Sequence, residues 1–393
     1  MLRWIIAVVL CQSLSIFATP LQIEIDAEAA ILVNMDSNAI LYEKNAYQLF
    51  HPASTTKVAT ALYALAVAGD RLDNIIVADR ESLASISPEA KRKSNYMLPA
   101  YWLDNDGTHI GIKNEEKFSL KDLLYGMMVA SGNDASNLIA KNIGGTIPSF
   151  MEQLNGFLKE LGCNNTTFYN PHGLHHPNHL TTAYDMALIA KEALKIPLFQ
   201  EIVTTQRFMR PKTNKQDSIP LMQTNHLVRK GKVYYYPKAI GVKTGYVAAS
   251  QHTLVAAAKD GDRTLIAVLF KCKTRKDSFS SAIKLFEAAF NEPKVERILF
   301  RAGIQDFTLE LEGAAKPVRA YLPLSITIQY YPAEEPVLEG TLKWHELSLP
   351  IEKGQIIGEL QIQNAKGKII RQVPLLAEES VSATWAHWLK SFF

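Results

Sequence analysis

The sequence predicts an α+β protein followed by a smaller all-β domain. Three observations carry this: strand-like runs stand at both ends of roughly the first 290 residues, helix-like runs fill the interval between them, and after Asn291-Glu292-Pro293 only short β-rich runs remain. With 393 residues, 47 % of them hydrophobic, the chain is long enough for more than one core. The expected boundaries are 1–18 for a leader, 19–292 for the α+β domain, 293–376 for the β-rich domain and 377–393 for a terminal helix.

Met1 to Ala18 reads as a secretory signal. Arg3 supplies a positive start, Trp4 to Leu10 is unbroken apolar, and the small residues Ser13, Ser15 and Ala18 follow. The apolar run is shorter than the roughly 20 residues of a membrane span, so removal on export is expected, with an uncleaved anchor as the alternative. Ala30 to Lys44 alternates around Asp36-Ser37-Asn38, as two strands joined by a polar turn do. Ser54 to Ala68 carries Val58, Leu62 and Leu65 at helical spacing and stops at Gly69. Further helices are expected over Ser119–Val129, Asp134–Asn142, Pro148–Leu161 and Thr182–Leu194, two of them opening on the capping signals Ser119-x-x-Asp122 and Thr182-x-x-Asp185.

Strand patterns return at Ile202–Met209 and Ala239–Thr244, then as a hairpin from His252 to Phe270 turning at Asp260-Gly261-Asp262. A helix from Ser278 to Phe290 closes the domain. Strands at both ends of one domain are expected to share one sheet. Five short β runs follow: Asp306–Leu311, Leu324–Tyr331, Gly340–Leu347, Ile356–Ile362 and Ile369–Pro374. The segment Glu378 to Phe393 places Val381, Trp385, Trp388 and Phe392 on one helical stripe, the pattern of a helix lying in a membrane interface; packing back onto its own domain is the alternative.

Charge and cysteine content narrow the chemistry. Forty-two basic residues against 39 acidic ones leave no excess for a phosphate grip, so nucleic acid is not an expected partner. Cys163 and Cys272 are too few for a disulfide framework and lack metal spacing; whether they pair is left open. Four histidines fall at His172, His175, His176 and His179, but Pro171, Gly173 and Pro177 make this an irregular loop without carboxylate or Cys. No metal and no cofactor is expected.

The chemistry concentrates in three short motifs in order: Ser54-Thr55-Thr56-Lys57, Ser131-Gly132-Asn133 and Lys243-Thr244-Gly245. A lone Ser-x-x-Lys arises by chance about once in a chain of this length. Ser281-Ala-Ile-Lys284 is such a second case, read as a solvated helix face. Only the ordered triple carries weight. Positions three apart share a helix face, so Lys57 reaches the Ser54 hydroxyl, and the helix N-terminus favours negative charge there. A lysine serving as base must be neutral, which calls for burial or a neighbouring cation, and Lys243 is the candidate cation. Ser131 offers a hydroxyl to relay protons to a leaving amine, and Asn133 an amide to hold Lys57 and substrate backbone. Lys243 and Thr244 suit a substrate carboxylate, and Gly245 admits a close substrate backbone. The amides of Ser54 and Tyr246 are the expected oxyanion donors.

Beyond the triple, Pro52-Ala-Ser-Thr-Thr-Lys57, Ser131-Gly-Asn-Asp-Ala-Ser136, Thr167-Phe-Tyr-Asn-Pro-His-Gly-Leu174, Thr182-Ala-Tyr-Asp-Met-Ala187 and Gly241-Val-Lys-Thr-Gly245 resemble the low-molecular-mass penicillin-binding proteins that are serine D-alanyl-D-alanine carboxypeptidases. Pro350-Ile-Glu-Lys-Gly-Gln-Ile-Ile-Gly358 resembles that family's C-terminal β domain. The resemblance implies a DD-peptidase/β-lactamase-like fold and acylation of Ser54 by the penultimate D-Ala carbonyl of a peptidoglycan stem peptide. It also implies covalent inhibition by β-lactams and a place at the periplasmic face of the bacterial inner membrane, attached through the C-terminal helix. Three features depart from the family pattern. Phe270-Lys271-Cys272-Lys273 replaces a common Gly-Gly-Arg, Tyr246 stands where His is frequent, and Asn95 to Lys117 is long. A β-lactamase would need a Glu-x-x-x-Asn loop, and Glu152-Gln-Leu-Asn155 is one residue short; a non-catalytic wall-binding protein would have no use for all of Ser54, Lys57, Ser131 and Lys243.

Overall fold

A computed structural model describes residues 4–7 and 18–385, which divide into two compact units, Pro20–Asn291 and Met1–Thr19 with Glu292–Phe393. In the first, five antiparallel strands run in the order Ala239–Val247, Gln251–Asp260, Arg263–Cys272, Ala29–Asn34 and Ile40–Lys44. The last of the hairpin strands pairs with the first strand of the unit, Phe270 facing Ala29 and Leu265 facing Asn34, so the two ends of the segment close one sheet, as expected. All six central residues of both hairpin strands are buried, because one face of the sheet meets the helices between and the other meets helix Arg275–Phe290.

The helices begin where side chains satisfy their free amides. Ser119, Thr146 and Thr182 each accept an N–H from the third residue on, and Thr274 and Asp277 form a reciprocal capping box. Helix Thr56–Ala68 lies in the middle of the bundle, with Val58, Ala59, Ala61, Leu62 and Ala64 almost without exposure. Burial of that kind contributes about 25 cal/mol per Å² of apolar surface.

Three expectations are corrected in this unit. The strand expected over Ile202–Met209 is split: Pro197–Thr204 is a helix with Pro at its start and Phe199, Ile202 and Val203 buried at helical spacing, and only Arg207–Arg210 is extended. The last helix starts at Arg275 rather than Ser278, since the capping box precedes it. Ser281 is not on a solvated face; it is fully buried and accepts the Asp26 N–H at 3.0 Å, while Lys284 alone of that pair is exposed.

The second unit is a β structure. A six-stranded sheet has Trp4–Ala7 at one edge, paired with Leu338–His345, followed by Ile356–Asn364, Ile369–Ala377, Val318–Leu322 and Gly303–Leu309. A two-stranded sheet joins Val295–Phe300 to Ile326–Tyr330. Its core holds Trp344, Val318, Leu322, Leu360, Ile362 and Leu375. The helix expected from Glu378 does not begin there. Val381 is buried and bridges to Ile351, and Ala383 bridges to Ala314, so this stretch is extended; the remainder of that segment, 386–393, lies outside the described residues. Among the described residues no helix is long and apolar enough to cross a membrane.

Candidate active site

Ser54 sits in a single 3-10 turn, Ala53–Thr55, that runs into helix Thr56–Ala68. Ala53, directly before it, has φ +50, a left-handed conformation that costs a non-glycine residue about 1–3 kcal/mol. Two close approaches hold this turn. A Cβ on Gly173, itself at φ +86, would lie 1.9 Å from the Ala53 carbonyl oxygen, so the histidine-rich loop presses its bare backbone against the turn. A Cβ on Gly245 would lie 2.8 Å from the Ser54 amide nitrogen, so the edge strand Ala239–Val247 runs directly beside that amide.

Lys57, one helical turn on, has no exposure. Its Nζ lies 3.0 Å from Ser54 Oγ and donates to Asn133 Oδ1 at 2.7 Å and to the His172 carbonyl at 2.7 Å, which leaves the nitrogen lone pair of a neutral amine for the Ser54 hydroxyl. Burial holds its pKa well below the ordinary lysine value, the charge of Lys243 pushes the same way, and Asp134 opposes them. Lys243, on the edge strand, is equally buried and donates to Ser131 Oγ and to the Thr244 carbonyl, each at 3.0 Å. Burial, then the charge of Arg275, pushes its pKa down to about 7. Ser131 is also left-handed, φ +64, and Asn133 opens helix Asn133–Gly144. Thr244 Oγ1 donates to Thr224 Oγ1 at 3.0 Å, and Tyr246 stands at the rim with its ring against His252.

All eight residues selected from the sequence therefore converge on one cleft. Its volume is about 740 Å³, and Ser54, Ser131, Asn133, Thr244, Gly245 and Tyr246 line it, with the two lysines beneath. Sequence reasoning missed Arg275, which lines the same cleft near Lys243. Its signal was the Thr274-x-x-Asp277 box, which places Arg275 in the first turn of the last helix. It brings a cation to the cleft beside Lys243, whereas Phe270–Lys273 contains no arginine.

The four histidines tie the loop together and to its neighbours. His179 Nδ1 accepts the Tyr169 N–H at 3.0 Å, so its Nε2 carries the proton and donates to Thr56 Oγ1 at 2.9 Å, while Thr56 Oγ1 donates to the Ala53 carbonyl. His172 accepts from the Leu174 N–H on Nδ1 and donates from Nε2 to the Tyr101 carbonyl. Burial lowers the pKa of both rings well below the usual value and keeps them neutral. His175 packs edge-on to Tyr96, and His176 stacks on Tyr169. Asn155, weighed as part of a hydrolytic loop, instead exchanges both amide bonds with the Phe168 backbone. Cys163 and Cys272 are separate, free and buried.

Comparison with known proteins adds an independent line. The family profile for D-alanyl-D-alanine carboxypeptidase, peptidase S11, matches residues 16–274. The chain is 30 % identical to D-alanyl-D-alanine carboxypeptidase DacF of Bacillus subtilis, covering 91 % of this chain and 86 % of that protein. It is 30 % identical to D-alanyl-D-alanine carboxypeptidase DacC of Escherichia coli, covering 91 % and 84 %. Among solved structures, penicillin binding protein 5 from Haemophilus influenzae superimposes with a TM-score of 0.61 at 24 % identity, over 92 % of this chain and 99 % of the other. The Streptomyces K15 DD-transpeptidase superimposes with a TM-score of 0.59 at 26 % identity, over 68 % of this chain and 98 % of the other.

Proposed function

The chain belongs to the peptidase S11 family and is a serine-type D-Ala-D-Ala carboxypeptidase, and from that premise we propose that Ser54 is its nucleophile, with Lys57 and Ser131 as its proton carriers. The observation that supports this most directly is the 3.0 Å contact of Lys57 Nζ with Ser54 Oγ at a position where burial and Lys243 both disfavour the ammonium. Neutral Lys57 takes the proton from Ser54 Oγ, which attacks the penultimate D-Ala carbonyl of a peptidoglycan stem peptide. The oxyanion falls between the amides of Ser54 and Tyr246, each such donor contributing about 2.7–4 kcal/mol in sites of this kind. Ser131 Oγ passes a proton to the departing D-Ala amine and is reprotonated by the Lys57 ammonium, which leaves Lys57 neutral again; water then attacks the acyl-Ser54 ester with Lys57 taking its proton and returning it to Ser54 Oγ as the shortened peptide leaves. Asn133 Oδ1 fixes the Lys57 amine throughout. Charged Lys243, Thr244 Oγ1 and Arg275 receive the terminal carboxylate, and Gly245 leaves the strand edge open to the substrate backbone. β-Lactams acylate the same serine.

The leader-like Met1–Ala18 supports export to the outer face of the bacterial inner membrane. The apolar Trp385, 78 % exposed, and the Trp, Leu and Phe residues after it support peripheral attachment of the C-terminal end to that membrane.

The test of the catalytic reading is intact mass after mixing with penicillin, wild type beside Ser54→Ala, followed by D-Ala release from a stem pentapeptide mimic. A one-to-one adduct lost in the variant, together with D-Ala release, is expected. Rapid return to the unmodified mass with destroyed penicillin would indicate a β-lactamase, and neither adduct nor release would leave only a binding protein.

A further inference from the structure

The long segment before Lys117 enters the cleft as a strap against the second motif. Asn133 N–H donates to the Thr108 carbonyl at 2.9 Å. The Ile110 side chain fills the space that glycine leaves at two positions: a Cβ on Gly126 would lie 2.6 Å from Ile110 Cδ1, and one on Gly132 would lie 2.9 Å from Ile110 Cγ2. The next residue of the motif, Asp134, is 2 % exposed, and its carboxylate accepts three successive strap amides: Ile110 at 3.0 Å, Gly111 at 2.9 Å and Ile112 at 3.1 Å. From the far side, Gln216 Nε2 donates to the Gly111 carbonyl at 2.8 Å. The strap is thus clamped between the start of helix Asn133–Gly144 and the loop that follows strand Arg207–Arg210.

We propose that Asp134 is a positioning residue for acylation: its carboxylate locks the strap onto Ser131-Gly132-Asn133, and its buried negative charge tunes the base Lys57 across the cleft floor. Three amides converging on one carboxylate make a nest that an amide side chain cannot replace, since it would turn an N–H toward N–H donors. Asn133 stands immediately before Asp134 and holds Lys57, so a shifted strap moves the amine relative to Ser54 Oγ. The groups facing Lys57 are Lys243 from the edge strand, Asp134 from its helix and the neutral ring of His172 from the loop. Of these, Asp134 opposes burial and Lys243 in setting the protonation of Lys57.

This inference rests on Lys57 being the base, and the experiment separates the two. The second-order rate of penicillin acylation is measured against pH for wild type, Asp134→Asn, Asp134→Glu and Gln216→Ala. Wild type failing to acylate would sink the catalytic reading itself. In Asp134→Asn the rate is expected to fall by about tenfold to a hundredfold. Because neutral Lys57 is the active form and the lost anion had favoured its charged form, the acidic limb moves to lower pH. Gln216→Ala loosens the strap at unchanged charge and lowers the rate with the limb in place. Asp134→Glu keeps the charge but displaces the carboxylate, so its rate falls with a limb near wild type, which decides the matter if Asp134→Asn does not fold. A rate within twofold of wild type in either Asp134 variant overturns the proposal, as does a fallen rate in Asp134→Asn with an unmoved limb.

Discussion

At the residue scale the site holds two buried lysines, to which opposite duties are proposed. Lys57 must be neutral to take a proton, and Lys243 must be charged to hold a carboxylate, yet both are wholly buried and both have depressed pKa values. The proposed division follows from what each touches: Lys57 has the Ser54 hydroxyl, whereas Lys243 has Ser131 and lies near the Arg275 charge. Raising the pH through the Lys243 value of about 7 removes its charge, so kcat/KM for peptides acquires its alkaline limb there. Arg275→Ala removes one cation from the carboxylate site and also a charge that holds the Lys243 pKa down. The expected result is a KM raised about tenfold below that limb, together with an alkaline limb displaced to higher pH. Steady-state kinetics on a stem pentapeptide mimic across pH checks both parts; an unmoved limb would mean that Arg275 does not act on Lys243.

At the element scale, short-range signals located most helices and contact across the fold decided their use. Ser119 and Thr182 cap the helices their spacing announced, because a cap needs only residues three apart. Ile202 and Val203 read as strand because they are β-branched neighbours, but Pro197 starts a helix whose buried face they complete with Phe199. Arg275 was hidden by placing the last helix one turn late. The histidine loop had no visible purpose in the sequence; in the fold it props the turn that carries Ser54, with Gly173 against Ala53 and His179 bonded to Thr56. Gly173→Ala sets a Cβ against the Ala53 carbonyl at a left-handed φ, so a loss of about 1–3 kcal/mol of stability is expected, with acylation slowed about a hundredfold. Thermal unfolding and penicillin acylation rates measure the two effects; normal acylation would show that the loop does not set the nucleophile turn.

At the scale of the whole molecule, every residue assigned to the reaction lies within Pro20–Asn291, while the segment proposed to meet the membrane ends the other unit. Val381 belongs to that unit's core, so a chain ended after Thr384 keeps the core and loses only residues 385–393. Such a chain is expected to acylate with penicillin at the wild-type rate and to lose co-sedimentation with anionic lipid vesicles. Retained vesicle binding would move the anchor elsewhere. The sequence by itself determined the α+β class and singled out the proposed nucleophile Ser54, the lysine beside it and the strand motif proposed to bind a carboxylate, because each is written in residues a few positions apart. Only the tertiary structure decided that Arg275 shares the cleft, that a glycine in the histidine loop supports Ser54, and that Asp134 clamps the strap. Those relations join residues from 22 to more than 200 positions apart, and no local spacing records which backbones will meet once the helices are buried against the sheet.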